Sequence, residues 1–259
     1  MRILLTGSSR GIGRAIADRL AEPNARLALC ASAPSREFDE TLAACRKLCP
    51  HVEALTGDLN DPTTPAALVD GAVAALGGLD AVISNAGIAK PGQLAETDEA
   101  SWNTIFSVNV RAPWLLARAA HRHLVESKGA FVAVASMSGV EPYPGVGAYS
   151  PSKAALIMLV RQLALEWADQ GIRVNAVSPG LFLSTMTAPI YADPEKKAAR
   201  EELVPMKHIG DPARDIAGLV EFLISSDATY ITGQNILVDG GLIGSIQKHI
   251  AGRPKSGSL

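Results

Sequence analysis

Ile3-Leu4-Leu5-Thr6-Gly7-Ser8-Ser9-Arg10-Gly11-Ile12-Gly13 starts as a short apolar run, breaks at Thr-Gly, and passes into a segment of helical period over residues 14–21. The pattern reads as strand, turn and helix. Each of the three glycines has a physical use there: Gly7 permits the tight turn, Gly11 lets backbone come close to a bound phosphate, and Gly13 lets the helix pack closely on the strand. A helix N-terminus also faces negative charge favourably. The turn is therefore expected to cradle the pyrophosphate of a dinucleotide through Gly7, Ser9, Arg10, Gly11, Ile12 and Gly13. Its spacing is T-G-x-x-x-G-x-G, not the G-x-G-x-x-G of many dinucleotide-binding turns.

Outward from this turn, apolar runs recur at 27–30, 52–55, 81–83, 131–134, 174–177 and 236–238, separated by stretches of helical period. Several are apolar at consecutive positions, as in strands covered on both faces, and strand-helix alternation is the signature of a parallel sheet. The expectation is an α/β fold: a doubly wound, seven-stranded parallel sheet with helices on both faces, Rossmann-like. No interior linker or repeat interrupts it, so residues 1–243 read as one domain. Residues 244–259, with Lys248, Arg253, Lys255 and a closing Ser-Gly-Ser, have the composition of a frayed tail.

The chain has 259 residues, 47% hydrophobic and 19% charged, enough apolar material for a sizeable core. Its 24 Lys and Arg against 26 acids give a net charge of -2, so no whole-molecule field draws it to nucleic acid or anionic lipid. The first residues carry too few apolar side chains for a signal peptide, and no window reaches the roughly 18 apolar residues that cross a bilayer. Cys30, Cys45 and Cys49 form no C-x-x-C pair, and His51, His121, His123, His208 and His249 are scattered without ligand spacing. The expectation is a cytoplasmic protein with reduced thiols and no metal. Trp102, Trp114 and Trp167 read as core or interface anchors.

Tyr149-Ser150-Pro151-Ser152-Lys153 sets a phenol and an ammonium four residues apart, on one face if 146–167 is a helix. A tyrosine with a pKa of about 10 is a poor base at neutral pH unless positive charge stabilises its phenolate, and Lys153 is placed to supply that charge. Thirteen residues earlier, Ser136 follows the run 131–134, at the strand end where ligands bind in open α/β sheets, and its hydroxyl could polarise a carbonyl. Ser138 competes for that role but stands two residues closer to the tyrosine.

The glycine turn, Ser136, Tyr149 and Lys153 together resemble the short-chain dehydrogenase/reductase family, in its compact branch similar to 3-oxoacyl-[acyl-carrier-protein] reductases. The resemblance runs through Gly241 and implies a catalytic set of Asn109, Ser136, Tyr149 and Lys153, with Asn109 holding a water that links the lysine to solvent. Asn85-Ala86-Gly87 is similar to the family's N-N-A-G, with Ser84 in place of the first asparagine. Asp58-Leu59 resembles the pair that meets the adenine, and Pro179-Gly180 the pair ahead of the substrate loop. Phe182 falls in this cofactor set, and Ser184, with Thr185 next, stands where the family commonly has a threonine on the carboxamide. Ile231-Thr232-Gly233-Gln234 and Asp239-Gly240-Gly241 look like the family's closing strand signature, which implies a homotetramer or a dimer.

An NAD enzyme usually carries an acid about 20 residues past the glycine turn, to bind the ribose hydroxyls. Position 32 is Ser32, while Arg10 and Arg36 could each pair with a 2′-phosphate, which favours NADP(H); Glu37 and Asp39 nearby keep NAD(H) open. A lid over residues 181–210, with apolar Leu181, Phe182, Met186, Ile190, Tyr191, Leu203 and Met206, is expected to roof the substrate. Glu141-Pro142-Tyr143-Pro144-Gly145 would form a second wall. The implied partner is a small carbonyl or alcohol: a 3-oxoacyl thioester, a sugar, a steroid or a simple secondary alcohol. Family epimerases and dehydratases, which have longer chains, and a non-catalytic dinucleotide sensor are the rival functions.

Overall fold

The computed structural model describes residues 1–184 and 187–245. Seven strands, β1 (Arg2–Thr6), β2 (Arg26–Ala31), β3 (His51–Thr56), β4 (Ala81–Ser84), β5 (Ala130–Val134), β6 (Arg173–Pro179) and β7 (Asn235–Val238), form one parallel sheet among the described residues, ordered β3-β2-β1-β4-β5-β6-β7. Each apolar run of the sequence lies inside one of them. The consecutive apolar residues are explained by two cores. Leu4, Phe131, Ala133 and Val174 face one side with helices α3 (Thr64–Leu76), α5 (Ala112–Ser127) and α6 (Tyr149–Trp167). Their strand neighbours Ile3, Leu5, Val132 and Val134 face the other with α1 (Gly11–Leu20), α2 (Arg36–Arg46) and α10 (Ala217–Ile224). A strand buried on both faces has no polar side to alternate with.

Local chemistry sets the element ends. Ser35 caps α2 by accepting from the Phe38 amide at 3.2 Å, and α3 stops at Gly77, whose φ of +79° is left-handed. The sequence expectation begins the tyrosine helix at 146, but α6 begins at Tyr149. Gly147 explains the difference: its φ is +55°, outside the right-handed helical region, and its amide donates to the Gly92 carbonyl at 2.9 Å. Residues 141–147 are thereby tied to the loop after β4.

The strand order reverses between β1 and β4, so the loops after these two strands diverge and leave a crevice at their carboxyl ends. Helix α4 (Glu99–Phe106) runs through a π-helical segment, Ser107–Arg111, into α5. After β6, the chain forms α7 (Ala188–Tyr191) and α8 (Pro194–Leu203), then returns through α9 (Pro212–Asp215). The two ends of this excursion are pinned by a parallel bridge between Phe182 and Gly210. Of the expected tail, Gly244 and Ser245 are still folded, the Ser245 amide donating to Leu242 at 3.1 Å. Residues 246–259, His249 included, and lid residues Thr185 and Met186 lie outside the described residues.

Candidate active site

Thr6, at the end of β1, accepts from the backbone amides of Asn85 and Ala86 at 3.1 and 3.2 Å. The Asn85 side chain answers by donating to the Thr6 and Gly7 carbonyls at 3.1 and 3.0 Å. These four bonds join the β4 loop to the glycine turn across the crevice. Gly7 and Gly11 have φ of +68° and +56°, and a Cβ on Gly13 would lie 2.0 Å from the Gly7 oxygen, so all three positions need glycine. Ser8, which sequence reasoning passed over, is buried and donates its hydroxyl to the Cys30 carbonyl at 3.1 Å, tying the turn to β2. The helix that follows has no side-chain cap on its first amides, leaving them available to an anion. A bare-backbone cradle ahead of an uncapped helix fits a dinucleotide pyrophosphate.

Around this cradle, Ser9 and Ile12 are half-buried and Arg10 is exposed. Ser32 and Asp58 are exposed at the ends of β2 and β3, while Leu59 is buried in the core. Arg36 pairs with Glu40 at 2.9 Å from a side chain that is 90% exposed. The Glu37 carboxyl is held below its ordinary range by hydrogen bonds from its own backbone and from Ser35, with Arg10 and Arg36 adding their fields. Gly180 must be bare because a Cβ there would meet Asp239 at 2.6 Å, and Ser184 stands over the glycine turn, its Cβ 3.7 Å from where one on Gly11 would be. Phe182 turns the other way: its buried ring lies 2.8 Å from the Cβ position of Gly210, at the neck of the lid.

The four expected catalytic residues come together on the same edge of the sheet. Ser136 leaves β5 into a short turn, Met137–Gly139, its side chain accepting from the Ser138 amide at 3.1 Å. A Cβ on Gly139 would collide with the Lys153 carbonyl carbon at 2.6 Å, so this glycine lets the turn press onto α6 and brings Ser136 within hydrogen-bonding reach of Tyr149. Lys153 is buried, and its Nζ donates to the Val134 carbonyl at 2.9 Å and lies 5.7 Å from the Tyr149 ring centre. Asn109, fully buried in the π-helical segment, accepts from the Ile88 amide and donates to its carbonyl, both at 2.9 Å. Gly87 sits between them, since a Cβ on it would lie 3.2 Å from Lys153 Nζ and 3.3 Å from Asn109 Oδ1.

The electrostatics depart from the sequence expectation in one respect. Burial pushes the Tyr149 phenol above its ordinary value, with the Ser136 hydrogen bond pulling it partly back, and the same burial lowers Lys153 to about 8. At about 8 the buried Lys153 amine still carries its proton at neutral pH and donates to the Val134 carbonyl. The Tyr149 phenol is held protonated at neutral pH.

A family model described as Enoyl-(Acyl carrier protein) reductase matches residues 7–243. The chain is 38% identical over 248 residues to Glucose 1-dehydrogenase of Gluconobacter oxydans (strain 621H), covering 93% of this chain and 91% of that one. It is 34% identical over 244 residues to 3beta-hydroxysteroid dehydrogenase 1 of Eggerthella lenta, covering 93% and 92%. Among solved structures it is similar to a short chain dehydrogenase from Burkholderia cenocepacia J2315 in complex with NADP. The TM-score is 0.85 at 33% identity, covering 93% of this chain and 97% of that one.

Proposed function

The chain belongs to the short-chain dehydrogenase/reductase family, whose members act on alcohol and carbonyl groups, and from that premise we propose that it transfers a hydride between NADP(H) and a carbonyl or secondary alcohol, with Tyr149 as the acid/base. The convergence of Ser136, Tyr149, Lys153 and Asn109 beside the glycine cradle carries this reading. Bound NADP(H) would supply or accept the hydride and, when oxidised, place positive charge near the phenol. The cradle residues Gly7, Ser9, Arg10, Gly11, Ile12 and Gly13 would hold its pyrophosphate, with Asp58, Leu59, Ala86, Gly87, Pro179, Gly180 and Ser184 along its remaining length. Ser136 then orients the substrate oxygen, and Tyr149 donates its proton to that oxygen during reduction. Lys153 and Asn109 return a proton to the phenolate from solvent. A phenol held protonated by burial suits the donor role.

Several observations favour NADP(H) over NAD(H). Ser32 offers no carboxylate to repel a 2′-phosphate, Arg10 is exposed at the cradle, and Glu37 is engaged at the start of its own helix. The Burkholderia relative was solved with NADP. We further propose that the chain assembles as a homotetramer or dimer, and that it works in the cytoplasm, where its three buried cysteines stay free thiols. No described helix is long and apolar enough to cross a membrane.

The test is a fluorescence titration with NADPH and NADH separately, followed by ketones, keto sugars, a 3-oxosteroid and a 3-oxoacyl thioester offered to the complex. Tighter NADPH binding and oxidation by at least one carbonyl are expected. Tyr149→Phe should lower turnover by about 10²- to 10⁴-fold with cofactor affinity unchanged. Binding without turnover on any carbonyl would favour a dinucleotide sensor, and absence of binding would overturn the proposal.

A further inference from the structure

Ser152 stands between Tyr149 and Lys153 on α6 and is completely buried. Its hydroxyl donates to the Tyr149 carbonyl oxygen at 2.7 Å and accepts from Asn109 Nδ2 at 3.0 Å. The second Nδ2 proton goes to the Ile88 carbonyl, and Oδ1 takes the Ile88 amide, so both amide protons of Asn109 are used, one on the β4 loop and one on α6, while Oδ1 holds the β4 loop and keeps one lone pair. We propose that Ser152 is a positioning residue whose hydroxyl locks Asn109 to the first turn of α6 and thereby fixes the Lys153 amine relative to the Tyr149 phenol. It rests on the catalytic reading above and deepens it.

A helical serine that bonds back to the i−3 carbonyl spends its proton and keeps its lone pairs for another donor. Here that donor comes from a π-helical segment, a departure from α geometry that recurs at functional sites. Removing the hydroxyl leaves a buried N–H of Asn109 without an acceptor, and such a group is costly enough for the amide to turn in search of one. Asn109 Oδ1 and Lys153 Nζ crowd the same bare Gly87, so rotation of the amide changes the wall beside the amine. Alanine at 152 favours a helix more than serine does, so a residue serving the helix alone would not be missed. From the other elements packed on the phenol comes the hydroxyl of Ser136 at the end of β5, which bears no charge, and from its own helix comes Lys153.

The experiment uses the full chain with saturating NADP⁺ and follows phenolate absorbance against pH. The Tyr149 contribution is the difference between wild type and Tyr149→Phe. Ser152→Ala is expected to raise the Tyr149 midpoint by about 0.5 pH or more, with NADP⁺ affinity within about twofold of wild type. Ser152→Thr, which keeps a hydroxyl, should restore the midpoint, and Ser152→Ala should add nothing in an Asn109→Ala background. An unmoved midpoint in Ser152→Ala, a shift additive with that of Asn109→Ala, or a matching loss of NADP⁺ affinity would each overturn the assignment while leaving Tyr149 in its role. A wild type that titrates like Tyr149→Phe would likewise overturn the Ser152 assignment, while the hydride-transfer reading stands or falls separately on the turnover of Tyr149→Phe.

Discussion

An amine buried without a carboxylate partner gives up its proton more readily, and Lys153 is in that position, lowered from 10.5 to about 8 while it donates to the Val134 carbonyl. That difference corresponds to about 3 kcal/mol. The sign follows from linkage. Between about pH 8 and 10.5 the unfolded chain holds a proton on this lysine that the folded chain has lost, so stability rises with pH across that window, and the cost is present in full below it. Lys153→Met should therefore unfold at a higher temperature than wild type at pH 7, with the gap narrowing as pH rises through 8 to 10. Calorimetry over that range checks it, and a gap independent of pH would contradict it. Lys153 and Tyr149 were both legible from their spacing, but the direction of the phenol's shift was not. It depends on how much water the packed fold leaves around the ring, set against the pull of the Ser136 hydroxyl, and burial leaves no trace in the motif.

At the scale of elements, the strand-turn-helix unit at the start of the chain needs a glycine wherever helix and turn touch. Gly13→Ala would drive a methyl to 2.0 Å from the Gly7 carbonyl oxygen and 2.4 Å from the Asn85 amide. Because both belong to the clamp between β1 and β4, relief requires opening it, at a cost of about 3 kcal/mol or more. Denaturant unfolding should register that loss, and NADPH affinity should fall at least tenfold; a variant with wild-type stability and affinity would mean that the turn yields freely. The three glycines and their separate uses were readable in the sequence. The Asn85 clamp was not, because its partners lie 78 and 79 residues away. The start of α6 was also misplaced, since Gly147 takes its left-handed conformation from pairing with Gly92. In the same way Phe182, expected along the cofactor, has its ring committed to Gly210 at the lid's neck.

The molecule as a whole leaves large apolar side chains in water on the face of α4, α5 and α6. Trp102, Trp114 and Met158 are 37%, 41% and 59% exposed, and Phe106, Val110, Trp114 and Leu159 border a groove of about 680 Å³. Tryptophans on a rimmed apolar surface are typical of contacts between chains. Light scattering is expected to give the mass of four chains, or of two, and Trp114→Glu on this face should shift the population to smaller species; a wild type that stays monomeric would overturn the proposed assembly. What the sequence determined by itself was the periodicity and the short-range chemistry: seven strands, several of them covered on both faces, the glycine turn, and the order of Asn109, Ser136, Tyr149 and Lys153. These are local, because side-chain period and motif spacing are written along the chain. Tertiary structure alone decided which edge of the sheet collects those residues and how Asn109, Ser152 and Lys153 interlock around Gly87. It also decided how burial sets their protons. Hydrogen bonding and desolvation depend on neighbours brought together by strand order, and strand order is a property of the packed sheet.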